Sequence, residues 1–287
     1  MSDSSDVVDA PLPDAPARPA DSHKGTYGTV IVVGGCTTMI GAPALAARAA
    51  LRTGTGLVKV AVDPAIVAAV ITIEPGATAV DLTGGDLSAA LDTADPDGKA
   101  VLAVGPGLGG ADAATEKVKA ALAGDRPVVL DADGLNQLAG LGREALSGSG
   151  PRILTPHPGE YRRLAQALGL EGNATDPAGR PAAAAELARA CEAVVVLKGH
   201  RTVISDGETT TLNETGNPAL AVAGTGDVLT GCIAGLLAQG LEPLDAARLG
   251  VWAHGEAGDQ WGAEHGPAGL RASELADRLP AALHRRR

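Results

Sequence analysis

Phenylalanine is missing from this 287-residue chain, and two Trp and two Tyr are its only aromatics. A buried core must therefore be assembled from Ala, Val, Leu and Ile. The ring platforms on which single-stranded nucleic acid stacks its bases are excluded. Cations are also scarce: 23 Lys and Arg stand against 34 Asp and Glu, a formal charge of −11. That balance excludes the basic footprint of a nucleic-acid binder, and the short Arg285-Arg286-Arg287 end does not restore it. It does not exclude a phosphate ligand, because backbone amides at a helix start bind anions without any lysine. The three cysteines, Cys36, Cys191 and Cys232, are odd in number and far apart, and no CxxC occurs. They make neither a disulfide framework nor a zinc site, and a reducing compartment is expected. The longest apolar run, near Leu229 to Leu241, contains Gly and Gln and is too short to span a bilayer. Met1 to His23 is acidic and Pro-rich with no apolar stretch, so it does not read as a signal peptide. The expectation is a soluble cytoplasmic protein with neither a nucleic-acid nor a membrane partner.

What the chain does have is glycine, 39 residues of it, placed between short apolar runs. Residues 1–22, rich in Asp, Pro, Ser and Ala, read as a disordered tail, and residues 23–287 as one domain. Strand and helix signals then alternate. Thr29 to Val33, Leu57 to Val62, Ala100 to Val104, Pro127 to Leu130, Arg152 to Thr155 and Ala193 to Leu197 are apolar at successive positions. Strands apolar on both faces are buried on both faces, which predicts a mainly parallel sheet between helical layers, an α/β/α sandwich. Helices are predicted over Ala42 to Thr53 and Ala111 to Ala123, and then after Asn217-Pro218 over Asp227 to Gln239, Pro243 to about Gly262 and Ala272 to Leu283. Arg201 to Asn213 reads as an antiparallel edge hairpin turning on Asp206-Gly207.

Polar and Gly-rich motifs follow the strands, where open α/β sheets bind their ligands. In Gly224-Thr225-Gly226-Asp227 the glycines let a ligand approach the backbone, and the free amides of a helix start form an anion hole. Asp227, in the first turn, can serve as general base towards a hydroxyl, or merely cap the helix. Gly105-Pro106-Gly107-Leu108-Gly109-Gly110 satisfies GxGxxG literally. It stands at mid-chain, and Pro106 removes an amide, so a Rossmann turn and a plain glycine turn are both open. No GxxxxGK[ST] phosphate loop is present. His157, between two prolines in Thr155-Pro156-His157-Pro158-Gly159-Glu160, is either a ligand contact or a surface turn, and Glu160 can cap the next helix. Lys198-Gly199-His200-Arg201-Thr202 offers cations to a phosphate or to solvent. Asp131 and Asp133 suit metal or ribose contacts, or a turn. His254, His265 and His284 lack metal-ligand spacing and read as ordinary helix or tail residues.

The order of these motifs is more specific than any one of them. Lys24-Gly25-Thr26-Tyr27-Gly28, Gly34-Gly35 with Gly41-Ala42-Pro43, the Gly105 loop, Asp131 to Asn136, Thr155 to Glu160, Lys198-Gly199 and Gly216-Asn217-Pro218 to Leu229 occur together. From about residue 24 onward the chain closely resembles the ADP/ATP-dependent NAD(P)H-hydrate dehydratases, a nicotinamide-repair family with the ribokinase-like fold. The resemblance implies ADP-dependent dehydration of (S)-NADHX or NADPHX to NADH or NADPH, with AMP and phosphate released, and with ATP as the alternative co-substrate. It implies Asp227 as catalytic base. Ala42, Gly107, His157 and Asp227 then contact the hydrate, Lys198, Gly199, His200, Arg201, Thr202 and Gly226 contact the nucleotide, and Gly224, Thr225 and Gly226 form the anion hole. Mg²⁺ would bridge the nucleotide phosphates, with no residue assigned as its ligand. His200 and Arg201 stand where small residues are expected. The family also implies a homotetramer and a link to an NAD(P)H-hydrate epimerase, expected here on a separate chain because only 23 residues precede the first motif. The competing expectations are a ribokinase-like small-molecule kinase and an NAD-binding oxidoreductase or sensor.

Overall fold

The computed structural model describes residues 7–286. In chain order the elements are β1 (Thr29–Val33), α1 (Gly41–Thr53), β2 (Leu57–Ala61), α2 (Val67–Ile73), β3 (Thr78–Ala79), α3 (Leu87–Ala94) and β4 (Val101–Val104). Next come α4 (Asp112–Ala123), β5 (Val128–Leu130), α5 (Asp133–Leu141), β6 (Arg152–Leu154), α6 (Pro158–Leu168), α7 (Arg180–Cys191) and β7 (Val194–Leu197). The chain closes with β8 (Val203–Ser205), β9 (Thr210–Leu212), α8 (Thr225–Ala238), α9 (Pro243–His265) and α10 (Ala272–His284).

The strands form one sheet in the order β3-β2-β1-β4-β5-β6-β7-β8-β9. Pairing is parallel from β3 through β7 and antiparallel from β7 through β9. Alternation along each strand feeds two cores. Val30 and Val32 face the side covered by α1, α2, α8, α9 and α10, while Ile31 and Val33 face the side covered by α3 to α7. The lack of rings is met by close helix approach. A Cβ added at Gly231 of α8 would fall 2.0 Å from the Ala46 carbonyl oxygen of α1, and one at Gly235 2.1 Å from Thr53 Oγ1. Ala and Gly let α1 and α8 touch backbone to backbone, so the core closes without large side chains.

Strand order reverses between β1 and β4, because β1, β2 and β3 run outward on one side and β4 to β7 on the other. The crevice beyond the carboxyl ends of these two strands is the topological switch point. Here it is bridged by the Gly35 amide, which donates to the Pro106 carbonyl at 2.9 Å. The loops that follow β1, β4, β5, β6 and β7 lie on this rim, whereas Lys24 to Gly28 precedes β1 and lies at the opposite end of the sheet.

Three features depart from the sequence reading. Residues 7–22 are not a free tail: they lie along the domain. Val7 bridges to Thr210, the Arg248 guanidinium donates to the carbonyls of Ala10 and Pro11, Arg286 donates to that of Leu12, and Ala15 is buried. Side-chain donors on α9 and at the C-terminus, with backbone bonds from Val8 to Thr210 and from Ala15 to Arg286, thus satisfy the extended backbone; residues 1–6 of the expected tail lie outside the described residues. The edge hairpin turns over four residues, not two, because Asp206 Oδ1 accepts from the amides of Glu208 and Thr209. Finally, β3 is a two-residue edge strand, too short to leave a periodic signal.

Candidate active site

The site forms around the start of α8. Gly224, at φ +91°, turns the chain into the helix; a Cβ there would fall 2.8 Å from Leu45 Cδ1. Helix geometry from Thr225 onward leaves the first-turn amides without intrahelical partners, so they point at the rim. Asp227 is the third residue of this turn, its Oδ2 3.9 Å from where a Gly224 side chain would begin. Burial pushes the Asp227 carboxyl up to about 7, with Asp131 adding to the rise, Lys198 opposing it and Asp133 contributing least. A carboxylate that gains and loses its proton near neutrality is suited to general-base work.

Lys198, at the end of β7, carries its ammonium to the same place. Nζ lies 2.5 Å from Asp131 Oδ1 and 3.8 Å from Glu160 Oε2. A Cβ at Gly226 would sit 3.5 Å from Nζ and 3.6 Å from Asp131 Oδ2, so the absent side chain keeps this corner open. Burial acts to discharge the lysine, but Asp131 and Glu160 outweigh it and its pKa is raised. Glu160 is itself shifted upward by burial, with Lys198 pulling the other way. The second oxygen of Asp131 accepts from the Thr230 hydroxyl at 2.7 Å.

On the other flank are Ala42 and Gly107. Ala42 lies in the first turn of α1, and Gly107 has φ +64°; a Cβ on Gly107 would fall 3.0 Å from Ala42 Cβ and 2.7 Å from the Met39 carbonyl oxygen. The Gly105 loop is tied down by Asp133, whose Oδ2 accepts from the Gly109 amide at 2.8 Å. This loop precedes α4 without opening a dinucleotide turn at the first βαβ unit, so GxGxxG here is a rim loop of the switch point.

His157 is the N-cap of α6: Nδ1 accepts from the amides of Gly159 and Glu160, while Glu160 reaches back to the His157 amide. It is half-exposed, with Nε2 3.2 Å from Glu160 Oε1, which links it through Glu160 to Lys198. Gly199, His200 and Arg201 are exposed, away from that cluster. They border a cleft of about 370 Å³ between the β7 loop and the start of α7, where buried Arg180 donates to the carbonyls of Ala174, Leu197 and Lys198. Thr202 closes the loop by donating to the Gly199 carbonyl. Arg201 stands at φ +55°, a conformation glycine adopts freely and arginine does not, which is the physical reason to expect a small residue there.

Three residues of this constellation had little or no reading in the sequence. Thr230 is a lone hydroxyl on the inner face of an apolar helix, and that isolation was the available signal. Glu160 is a cap, as expected, and also a partner of Lys198. His254 of α9 is partly buried, with Nε2 2.9 Å from the Thr225 carbonyl; desolvation lowers its pKa to about 4, so it stays neutral and donates to the turn that carries Asp227.

A mainly parallel sheet with an antiparallel edge, helices on both faces and a glycine anion nest opening a helix at the rim define a ribokinase-like α/β protein. The profile of the NAD(P)H-hydrate dehydratase family matches residues 30–281, and the chain belongs to that family. It is 45% identical over 280 residues to a bifunctional NAD(P)H-hydrate repair enzyme of Moorella thermoacetica, covering 93% of this chain and 51% of that one. It is 38% identical over 267 residues to an ADP-dependent (S)-NAD(P)H-hydrate dehydratase of Bacillus subtilis, covering 92% of each. Thus the chain spans about half the length of the bifunctional relatives and nearly all of the single-activity one. Among solved structures, the ADP/ATP-dependent NAD(P)H-hydrate dehydratase of Bacillus subtilis co-crystallised with ATP and Mg²⁺ superposes with a TM-score of 0.79 at 35% identity, over 95% of this chain and 94% of that one.

Proposed function

We propose that this protein, through a domain spanning residues 23–287, dehydrates (S)-NADHX and (S)-NADPHX to NADH and NADPH at the expense of ADP. The observation that carries the reading is Asp227, a carboxylate titrating near neutrality in the first turn of α8, with an open glycine nest on one side and the Lys198 ammonium on the other. Asp227 takes the proton of the C6 hydroxyl as that oxygen bonds to the β-phosphorus of ADP. The bond from that phosphorus to the bridging oxygen breaks, and AMP leaves. The C6–O bond then breaks with loss of phosphate, and release of a proton from C5 restores the 5,6 double bond. The amides of Gly224, Thr225 and Gly226 and the Lys198 ammonium offset charge on the phosphoryl oxygens, which is the main work in this chemistry. Ala42, Gly107 and His157 line the hydrate side, and Lys198 to Thr202 with Gly226 the nucleotide side.

Among the described residues no group of three or more carboxylates, imidazoles or thiols forms a metal cage. Asp131 and Glu160 already share an ammonium. These donors do not fit a protein-held Mg²⁺; the ion fits as the companion of the nucleotide phosphates, neutralising their charge. ATP in place of ADP, a homotetramer, a cytoplasmic location and supply of the S epimer by an NAD(P)H-hydrate epimerase complete the proposal. Among the described residues no helix is long and apolar enough to cross a membrane. The test is incubation with NADHX and either ADP or ATP while following the NADH absorbance band. Recovery with stoichiometric AMP supports the reading. No recovery, or a phosphorylated product that accumulates, refutes it in favour of a kinase.

A further inference from the structure

Asp131 is almost fully buried at the end of β5, and both of its oxygens are engaged: Oδ1 by Lys198 Nζ, Oδ2 by the Thr230 hydroxyl. Thr230 lies one helical turn beyond Gly226, whose carbonyl its hydroxyl also reaches at 3.1 Å. The next residue, Ala132, is held at φ 49° and ψ −121°, which an L-residue adopts only under constraint. That constraint comes from both sides: Asp131 is fixed on the nucleotide flank by Lys198, and Asp133 on the hydrate flank by the Gly109 amide. The three-residue segment therefore braces the two halves of the site. An unbraced lysine has four rotatable bonds and no reason to stop over Gly226.

Resting on the dehydratase reading, we propose that Asp131 is a positioning residue for the phosphoryl step: it anchors the Lys198 ammonium over Gly226, where that charge meets the phosphoryl group passing to the hydrate. In this role Asp131 acts through Lys198. The charged groups facing Asp227 are Asp131 and Asp133 from the β5 loop and Lys198 from the β7 loop. Glu160 of α6 reaches it through Lys198, and His254 of α9 stays neutral.

The experiment compares wild type, Asp131→Asn, Lys198→Met and the double variant with NADHX and ADP. Asp131→Asn is expected to lower kcat by about 100-fold, the scale of losing one preorganised charge clamp, with KM for NADHX little changed. The double variant is expected to be no slower than Lys198→Met, since residues acting as one unit are non-additive. A merely structural role would instead give losses that multiply in the double variant. A kcat within about threefold of wild type, or losses that multiply in the double variant, overturns the proposal. If Asp131→Asn does not fold, Thr230→Val decides: it keeps both charges and frees one Asp131 oxygen, so kcat should fall about tenfold, and an unchanged kcat overturns the proposal. Inactive wild type overturns the dehydratase reading and this inference together; active wild type with unaffected variants overturns this inference alone.

Discussion

Replacing Asp227 by asparagine should abolish turnover while making the folded protein more resistant to heat at alkaline pH. Burial, reinforced by Asp131, holds this carboxyl at about 7 against an ordinary 3.8. Between those values the folded protein binds a proton that the unfolded chain has released. The group's contribution to stability is therefore full below pH 3.8 and is lost as pH rises through 7. From pH 5 to pH 8.5 the folded-state titration spans about two pH units, worth at most about 3 kcal/mol at 1.36 kcal/mol per unit. An amide has no such titration, and every other ionisation, His254 included, is common to the two proteins. Unfolding entropy of about 2.1 cal/mol/K per residue gives about 0.6 kcal/mol/K for this chain. The Tm advantage of Asp227→Asn over wild type should therefore widen by up to about 5 °C between pH 5 and pH 8.5. Differential scanning calorimetry at the two pH values reads it directly. A gap that is constant or narrows with pH would refute the buried, proton-holding Asp227. In the same variant kcat should drop by at least about 100-fold with ADP still bound. Wild-type kcat/KM should show an acid limb centred near 7, with about a tenth of Asp227 ionised at pH 6 and nine tenths at pH 8.

Gly226→Ala should fold normally, because its Cβ meets Lys198 and Asp131 at ordinary contact distances, yet KM for ADP should rise at least about tenfold as the methyl fills the anion corner; an unchanged KM removes Gly226 from the nucleotide site. Gly107→Ala forces a left-handed backbone on alanine and drives Cβ to 2.7 Å from the Met39 carbonyl oxygen, so urea denaturation should show a loss of about 1–3 kcal/mol, accompanied by weaker NADHX binding. His254 has a folded pKa of about 4 against an ordinary 6.5. The unfolded chain binds the extra proton in that window, so the His254 contribution should fall by up to about 3 kcal/mol on going from pH 6.5 to pH 4, against the opposite trend of Asp227. The stability of His254→Gln relative to wild type should therefore rise as pH falls over this range, and equal pH dependence of the two proteins in urea titrations would show that His254 does not titrate in this way.

Strands and rim motifs were legible because their signals are local. An apolar run marks a strand buried on both faces wherever it later pairs, and a glycine turn marks a rim whichever ligand it meets. The helix carrying Asp227 was readable from its apolar length and the Gly-Thr-Gly start, although it begins at Thr225. The tail was misread over residues 7–22 because its anchors, Arg248 and Arg286, lie at the opposite end of the chain. No property of Asp, Pro and Ala residues announces a distant guanidinium.

Composition alone thus determined a core built mainly from small and branched apolar residues and a net acidic chain. The motif order determined the family. Only the tertiary structure decided which charges meet. Lys198 and Thr230 lie 67 and 99 residues from Asp131 along the chain, and the three converge because β5, β6 and β7 are neighbours in the sheet and α8 starts over their ends. Coulombic coupling and desolvation depend on distance and burial, neither of which a linear sequence contains, so a protonation state near neutrality at Asp227 is a property of the fold.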